Sequence, residues 1–355
     1  MASYTHIGFH KAGLPKEVNF PLTLAPMVGL SHCAFRQLLR EYLPQGATTL
    51  WPSEMLNSRR IPHEILNEIP EAMTLGDENF WVPQILANDP IKIEKSLAKL
   101  YAHGARGVDI NMGCPVQKAL KHNYGVALMG DADYAAQVVR DTVRFSCGPV
   151  SVKLRGAPSE DKDKWLTFSK RIEEAGASWL CLHPRTPDQK RRGSANWSSI
   201  RELSDNISIP VIGNGDIQVV DDVLAMLEQT GCDMVMAGRA LTARPWLFWQ
   251  LGERLGWPSP LGREDQSPPL SDLEEGAEYG RSLLRLWEIM SSLFPEKLAL
   301  RKFLFHVKTG SVWLLYGHEL YSRVSHIRQG DQLPQVIQNF FAQPQPMLRK
   351  TDLRQ

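Results

Sequence analysis

Little in this 355-residue chain points to a stapled, membrane-bound or metal-built protein. Cysteine is scarce: Cys33, Cys114, Cys147, Cys181 and Cys232 are five in number, widely spaced, with no Cys-x-x-Cys pair. That excludes a disulfide scaffold and a thiolate zinc site. It fits a reducing compartment, so the chain is expected to be cytoplasmic and to bind no metal. No run of 18 apolar residues occurs, and no membrane span is expected. The start, MASYTHIGFHKAG, has neither the charged region nor the apolar core of a secretory leader. Neither sign of charge prevails, with 40 Lys/Arg against 39 Asp/Glu, so bulk composition does not advertise a nucleic-acid partner. What is present is a globular balance: 43% hydrophobic residues, 26 Gly and 24 Pro, which excludes collagen-like and disordered chains.

The charge is unevenly distributed. From Arg281 onward 11 Lys/Arg face 5 Asp/Glu, a surplus of six cations following a body that is net acidic by five. Two readings stay open, a solvated helical face or a surface for an anionic partner.

Eight short apolar runs alternate with helix-like stretches: LTLAPMV from Leu22, TTLWPSEM from Thr48, WVPQIL from Trp81, GVDINMG from Gly107, PVSVKLR from Pro149, WLCLHPR from Trp179, IPVIGNG from Ile209 and DMVMAGR from Asp233. Between them, residues 91–105, 133–146, 165–177 and 219–231 repeat apolar residues at helical spacing. Several end at a glycine just before the next run. Eight such units over about 225 residues predict an α/β fold, a TIM (β/α)8 barrel. A doubly wound sheet is the alternative, but the turn after the first run reads APMVGL and not GxGxxG. The barrel domain is assigned to residues 1–255, with 1–20 as an extension that carries no readable motif. Residues 256–272, GWPSPLGREDQSPPLSD, read as a linker. Residues 273–345 then form a small all-helical domain, and 346–355 a polar tail.

Barrels carry their chemistry at the carboxyl ends of the strands. GNGD and AGR end the last two strands, and Gly215 and Gly238 with their neighbouring N–H groups suit a phosphate, or serve as ordinary turns. Lys153 alternates onto the same face as Arg155, and a lysine inside a barrel needs an anion or acceptor. A flavin's N1–C2=O edge meets that need; so does a salt bridge to Asp109 or Glu54. Gln84 can hydrogen-bond a flavin's pyrimidine edge. Cys114, set between Gly113 and Pro115 beside Asn111, is placed to act as nucleophile or proton donor, whereas the other four cysteines read as core. His183 is either a cofactor contact or a structural residue. Arg185 with Lys190-Arg191-Arg192 gives the barrel mouth positive charge, suited to the phosphates of a large substrate.

Together the segments LAPMVGLSHCAFR, SEM, PQIL, GVDINMGCPVQK, VSVKLR, LHPRT, IPVIGNGDI and GCDMVMAGRAL resemble the tRNA-dihydrouridine synthase family, flavoenzymes that reduce uridine in tRNA. The resemblance implies FMN contacts from Pro26, Met27, Val28, Gln84, Lys153 and His183. It implies a phosphate held by Asn214, Gly215, Asp216, Gly238 and Arg239. Cys114 becomes the general acid, and Asn111 and Arg155 face the target uracil. NADPH is the implied reductant, with hydride reaching carbon 6 of the uracil and the Cys114 proton reaching carbon 5. Arg185 at the mouth, and Arg281, Arg285, Arg301, Lys302 and Lys308 on the helical domain, would contact tRNA phosphates. The protein is expected to act as a monomer. Two departures from the family pattern stand out: His183-Pro184-Arg185-Thr186 in place of HGRT, and Lys121-His122-Asn123-Tyr124 in place of a glycine-richer stretch. Neither removes a chemical group. One rival reading is an FMN barrel acting on a small metabolite, which leaves the basic helical domain unexplained. The other is an RNA-binding barrel without redox chemistry, which would carry no flavin.

Overall fold

Eight parallel strands make one sheet: β1 (Leu22–Leu24), β2 (Trp51–Asn57), β3 (Trp81–Leu86), β4 (Val108–Met112), β5 (Val150–Arg155), β6 (Trp179–His183), β7 (Val211–Asn214) and β8 (Met234–Ala237). The computed structural model describes residues 11–76, 78–116, 120–156, 162–190 and 192–352. Arg191 and the two ends of the chain, 1–10 and 353–355, lie outside them. Strands β2 through β8 pair in sequence order, and β8 pairs with β1. At the remaining seam, two threonine hydroxyls donate to strand carbonyls: Thr23 Oγ1 to Leu50 O at 2.6 Å and Thr49 Oγ1 to Leu22 O at 2.7 Å. The sheet thus curls into a nearly closed barrel, the predicted (β/α)8 type.

Each strand is buried on both faces, which is why the strands read as continuous apolar runs. In β5, Val150, Val152 and Leu154 pack outward against helices while Ser151, Lys153 and Arg155 alternate inward. Trp179, Cys181, Ile212, Met234 and Met236 fill part of the barrel interior and leave its polar residues at the carboxyl end.

The outer layer comprises α1 (Cys33–Arg40), α2 (Pro90–Ala102), α3 (Ala132–Phe145), α4 (Lys162–Glu174), α5 (Trp197–Asn206), α6 (Val220–Thr230), α7 (Ala240–Ala243) and α8 (Leu247–Arg254). Asp89 and Asp131 cap α2 and α3 by accepting first-turn N–H groups, and Gly231 closes α6 at φ 63°. After β2, two short 3-10 turns, Ile61–His63 and Leu66–Glu68, stand in for a helix. Prolines at 62 and 70 deny the hydrogen bonds that a longer helix needs. Cys147 is exposed in the turn before β5, which corrects its reading as a core residue.

Four further helices follow: α9 (Asp272–Leu293), opened by a Ser271/Glu274 capping box, α10 (Glu296–Gly310), α11 (Gly317–Ser325) and α12 (Leu333–Phe341). Buried polar contacts fasten them to the barrel. Arg244 makes a two-pronged bond to Glu275, which also accepts from Trp246 Nε1, and Tyr42 Oη donates to Glu278 at 2.5 Å. In the preceding loop, Arg263 lies over the Tyr42 ring at 4.6 Å and pairs with Glu278 at 3.0 Å. Of the segment read as a polar tail, residues 347–350 are tied to the rest of the molecule. Met347 is 3% exposed, Leu348 N–H donates to Trp313 O at 2.6 Å, and Arg349 and Lys350 reach Asp221 and Asp222 at the start of α6. An apolar anchor and two acids of opposite charge draw it back onto the barrel. Among the described residues no helix is long and apolar enough to cross a membrane.

Candidate active site

A cavity of about 180 Å³ opens at the carboxyl ends of the strands. Eight of the residues expected there line it: Pro26 and Val28 after β1, Gln84 on β3, Asn111 on β4, Cys114 just beyond, Lys153 and Arg155 on β5, and His183 on β6. Gly113, read beside the thiol, lines it too, as do Met55 and Leu154, which were missed. Apolar residues at strand ends read as core, and nothing in their spacing says otherwise.

One polar chain organises the floor. Ser151 Oγ donates to Asp109 Oδ1 at 2.6 Å, and Gln84 Nε2 donates to Asp109 Oδ2 at 2.6 Å. Gln84 Oε1 accepts from Asn111 Nδ2 at 2.7 Å. Asn111 Oδ1 then accepts Cys114 N–H at 2.9 Å and Gly113 N–H at 3.2 Å. Burial pushes the Asp109 carboxyl up, while the bonds from Gln84 and Ser151 and the Lys153 charge hold it down. The chain ends by fixing the turn that carries the thiol. From the other side Gly125, at φ +62°, abuts Cys114 so closely that a Cβ would lie 2.4 Å from its carbonyl oxygen. Cys114 is 9% exposed and packs on Tyr124 with Met55 and Leu86.

The wall opposite is cationic. Lys153 Nζ donates to Asn214 Oδ1 at 3.2 Å, and Asn214 Nδ2 in turn donates to Met236 O at 2.7 Å. Among the described residues no carboxylate pairs with Lys153: Asp109 faces Gln84 and Ser151, and Glu54 faces Gly29 and Lys302. The salt-bridge alternative is therefore set aside. His183 is held down to about 2, by burial first and then by Lys153, Arg155, Arg185 and Arg239, so its imidazole is neutral. Arg155 donates to Arg185 O at 3.2 Å and Lys190 O at 2.5 Å. Arg185, 5% exposed, pairs with Asp216 Oδ1 at 2.6 Å and donates to Gly193 O at 2.6 Å. Asp216, at φ +60°, also accepts Ala195 N–H at 2.6 Å, so its carboxylate fastens the mouth loop. Gly215 lies beside cavity-lining His183, and Gly238 beside Met27 and Ala25, which do not line the cavity. A Cβ on Gly215 would meet His183 Cδ2 at 3.2 Å, and one on Gly238 would meet Met27 Sδ at 3.3 Å. Lys153, Arg155, Arg185 and Arg239 all bear on the His183 ring, and Asp216 pairs with Arg185. The charge of this wall is positive.

The basic surface differs from its expected composition. Lys302 is 7% exposed, bonded to Glu71 at 2.8 Å and 3.7 Å from Glu54, so its ammonium meets carboxylates under α10 and not solvent. Its neighbour Arg301 is turned a third of a helical turn outward. Arg281 and Arg285 are exposed but engaged by Glu278 and Glu41. Arg301 and Lys308, joined by Lys297 and Arg328, rim a groove of about 600 Å³ floored by Leu300, Leu304, Phe305, Tyr321 and Ile327. None of these four cations lies within ion-pair distance of a carboxylate among the described residues. Lys297 and Arg328 were missed because folding, not spacing, brings them together.

A (β/α)8 barrel with a cationic cup and a closely held thiol at its carboxyl end has the placement and lining of a barrel's ligand site. Residues 23–316 match the family model described as Dihydrouridine synthase (Dus), and the chain belongs to that family. It is 29% identical to tRNA-dihydrouridine synthase B of Pseudomonas aeruginosa over 91% of this chain and 93% of that one. It is 33% identical to a probable tRNA-dihydrouridine synthase of Mycobacterium tuberculosis, over 85% of this chain and 76% of the relative. It is 35% identical to probable tRNA-dihydrouridine synthase 1 of Synechocystis, the match spanning 65% of each chain. The solved structure described as "Crystal structure of TcOYE with pHBA" shares the fold, with a TM-score of 0.50 at 10% identity, covering 71% of this chain and 94% of that one.

Proposed function

We propose that the protein reduces the 5,6 double bond of a uridine in tRNA to dihydrouridine, using FMN with NADPH as reductant. Family membership supports the reaction, and the single observation that carries the cofactor is the ammonium of Lys153, held by an amide oxygen and, among the described residues, within ion-pair distance of no carboxylate, in a cup of converging cations. An electron-rich ring edge and a phosphate supply the two anionic groups that such a cup lacks. When bound, FMN supplies the hydride for carbon 6 of the uracil.

Lys153, Gln84 and neutral His183, with Pro26, Met27 and Val28, would hold the FMN ring. Asn214, Gly215, Asp216, Gly238 and Arg239 would hold its phosphate, the Asp216 carboxylate being already engaged by Arg185. Asn111 and Arg155 orient the uracil, and the Cys114 thiol donates its proton to carbon 5 as charge develops there. The base must leave its stack to enter the cup, which costs a few kcal/mol unless its loop is already unstacked. The four groove cations, Lys297, Arg301, Lys308 and Arg328, bind tRNA phosphates and offset that cost.

Position-by-position mapping of dihydrouridine in tRNA from cells lacking the protein tests the activity. Loss at a defined position, restored by the wild-type chain and not by Cys114→Ala, is the expected result. An unaltered tRNA with a yellow purified protein favours the small-metabolite reading, and a colourless protein overturns the flavin.

A further inference from the structure

The β1 loop lends Pro26 and Val28 to the cavity, and the helix that secures this loop belongs to the other half of the molecule. Just beyond Val28, Gly29 donates its N–H to Glu54 Oε2 at 2.6 Å. Gly29 also sits at φ +83°, where a Cβ would come within 2.8 Å of the Phe305 ring. Glu54 is 3% exposed; its other oxygen, Oε1, has no hydrogen-bond partner and lies 3.7 Å from Lys302 Nζ. Lys302 is steadied in turn by Glu71 Oε1 at 2.8 Å. Lys302 and Phe305 stand three residues apart on one face of α10, so the helix meets the β1 loop at two points. Phe305 also lines the basic groove.

Stability alone explains this arrangement poorly, because apolar residues of similar volume commonly serve as well as a buried ion pair. A carboxylate does one thing that an apolar side chain cannot: it accepts the Gly29 N–H and fixes the direction of the loop. Lys302 keeps that carboxylate turned toward α10, with Oε2 left to the glycine.

We propose that Glu54, oriented by Lys302, is a positioning residue that sets Pro26 and Val28 against the flavin, so that α10 completes a cup the barrel alone leaves open on one side. The proposal rests on the flavin reading above. It gives Lys302 a role other than the phosphate contact its sequence neighbourhood suggests, and it makes α10 shared between the RNA-facing groove and the cup.

The test compares full-length holoenzyme carrying Glu54→Leu, Glu54→Gln or Lys302→Met. Glu54→Leu and Lys302→Met should shift the visible flavin bands and lower kcat by about 10- to 100-fold, with the tRNA KM unchanged within about twofold. Glu54→Gln still accepts from Gly29 and should keep the wild-type spectrum. Gly29→Ala pushes the same loop from the Phe305 side and should shift the bands as Lys302→Met does, which covers the case in which Glu54→Leu fails to fold. Wild-type spectra and kcat in Lys302→Met and Gly29→Ala, with lowered melting temperature alone, overturn the proposal. So does a raised KM at unchanged kcat for Lys302→Met, which restores the phosphate contact. A wild-type protein without flavin overturns the flavin reading and this proposal together, whereas a yellow wild type with unperturbed variants overturns this one only.

Discussion

Replacing Asn111 with alanine should loosen the thiol without touching it. Asn111 is 6% exposed, and its side-chain oxygen accepts the N–H groups of both Gly113 and Cys114, at 3.2 and 2.9 Å. Losing both removes about 1 kcal/mol of net stabilisation per bond, or about 2 kcal/mol for the turn. Water entering from the adjacent cavity keeps the penalty from rising toward that of fully orphaned donors. An opening equilibrium shifted by about 2 kcal/mol is a change of about 30-fold in the open population. The direct assay is the rate at which iodoacetamide alkylates Cys114 in the protein without tRNA, followed by mass spectrometry of its peptide so that exposed Cys147 does not interfere. Alkylation of Cys114 should quicken by about that factor, while the rate at Cys147 stays constant as an internal control. An unchanged rate at Cys114 would refute the argument, since Gly125 and Tyr124 alone would then be enough to set the turn.

Other consequences are equally open to measurement. Cys114→Ala should retain bound flavin with an unaltered spectrum and lose about 10²–10⁴-fold in kcat; a loss confined to KM would deny it the proton. Charge reversal of Arg301 and Lys308 to Glu should raise the tRNA KM steeply and flatten its salt dependence, whereas Arg285→Ala, whose partner is Glu41, should do little. Acid should destabilise the protein through His306, which is 1% exposed and which burial holds down to about 3. The unfolded chain takes the proton below the ordinary histidine value of 6.5 and the folded chain does not, so stability falls as pH drops from 6.5 toward 3. Between pH 6.5 and 5 that amounts to about 2 kcal/mol for one histidine, and His306→Gln should remove this part of the slope in urea titrations. Glu54, raised to about 7 mainly by burial, acts in the opposite direction, because its folded form holds the proton between about 4.5 and 7. The comparison of His306→Gln with wild type cancels that contribution; identical slopes would mean that His306 is charged in the fold.

The barrel was legible because its strands obey a simple rule: a strand covered on both faces must be apolar along its length, and eight such runs are visible by eye. The helices were less so. The eight-residue α1 and the ten-residue α5 are too short for their periodicity to stand out, and the prolines that replace the helix after β2 read equally well as loop. Site residues were legible wherever a strand end delivered them, as for Gln84, Asn111, Cys114, Lys153 and His183. What the sequence concealed is the partner each charge finds. Arg301 and Lys302 are adjacent in the chain, yet helical geometry turns one to solvent and the other to Glu71 and Glu54. The same holds near the chain's end, where Arg349 and Lys350 look polar enough to float but pair with Asp221 and Asp222 at the start of α6.

That pairing of charges bears on how a chain of net charge +1 builds a cationic cup. Carboxylates are plentiful near the cup, but each described above is turned to a structural duty: Asp109 toward Gln84 and Ser151, Asp216 toward Arg185, and Glu54 toward Gly29 and Lys302. Farther out, Glu275 and Glu278 fasten the helices that follow the barrel. Lys153 leans instead on an amide oxygen, Asn214 Oδ1, and Arg155 donates to the main-chain carbonyl of Arg185, whereas Arg185 has Asp216. Neutral acceptors hold a cation in place without cancelling its charge, so its field remains available to a ligand. Replacing Asn214 by Asp inverts that logic with one atom changed. The new carboxylate would pair with Lys153, and flavin binding should weaken although the Lys153 side chain itself is unaltered. An Asn214→Asp protein that purifies with full flavin occupancy would show that the ammonium's freedom from carboxylates is incidental, and with it the main support for the cofactor would fall.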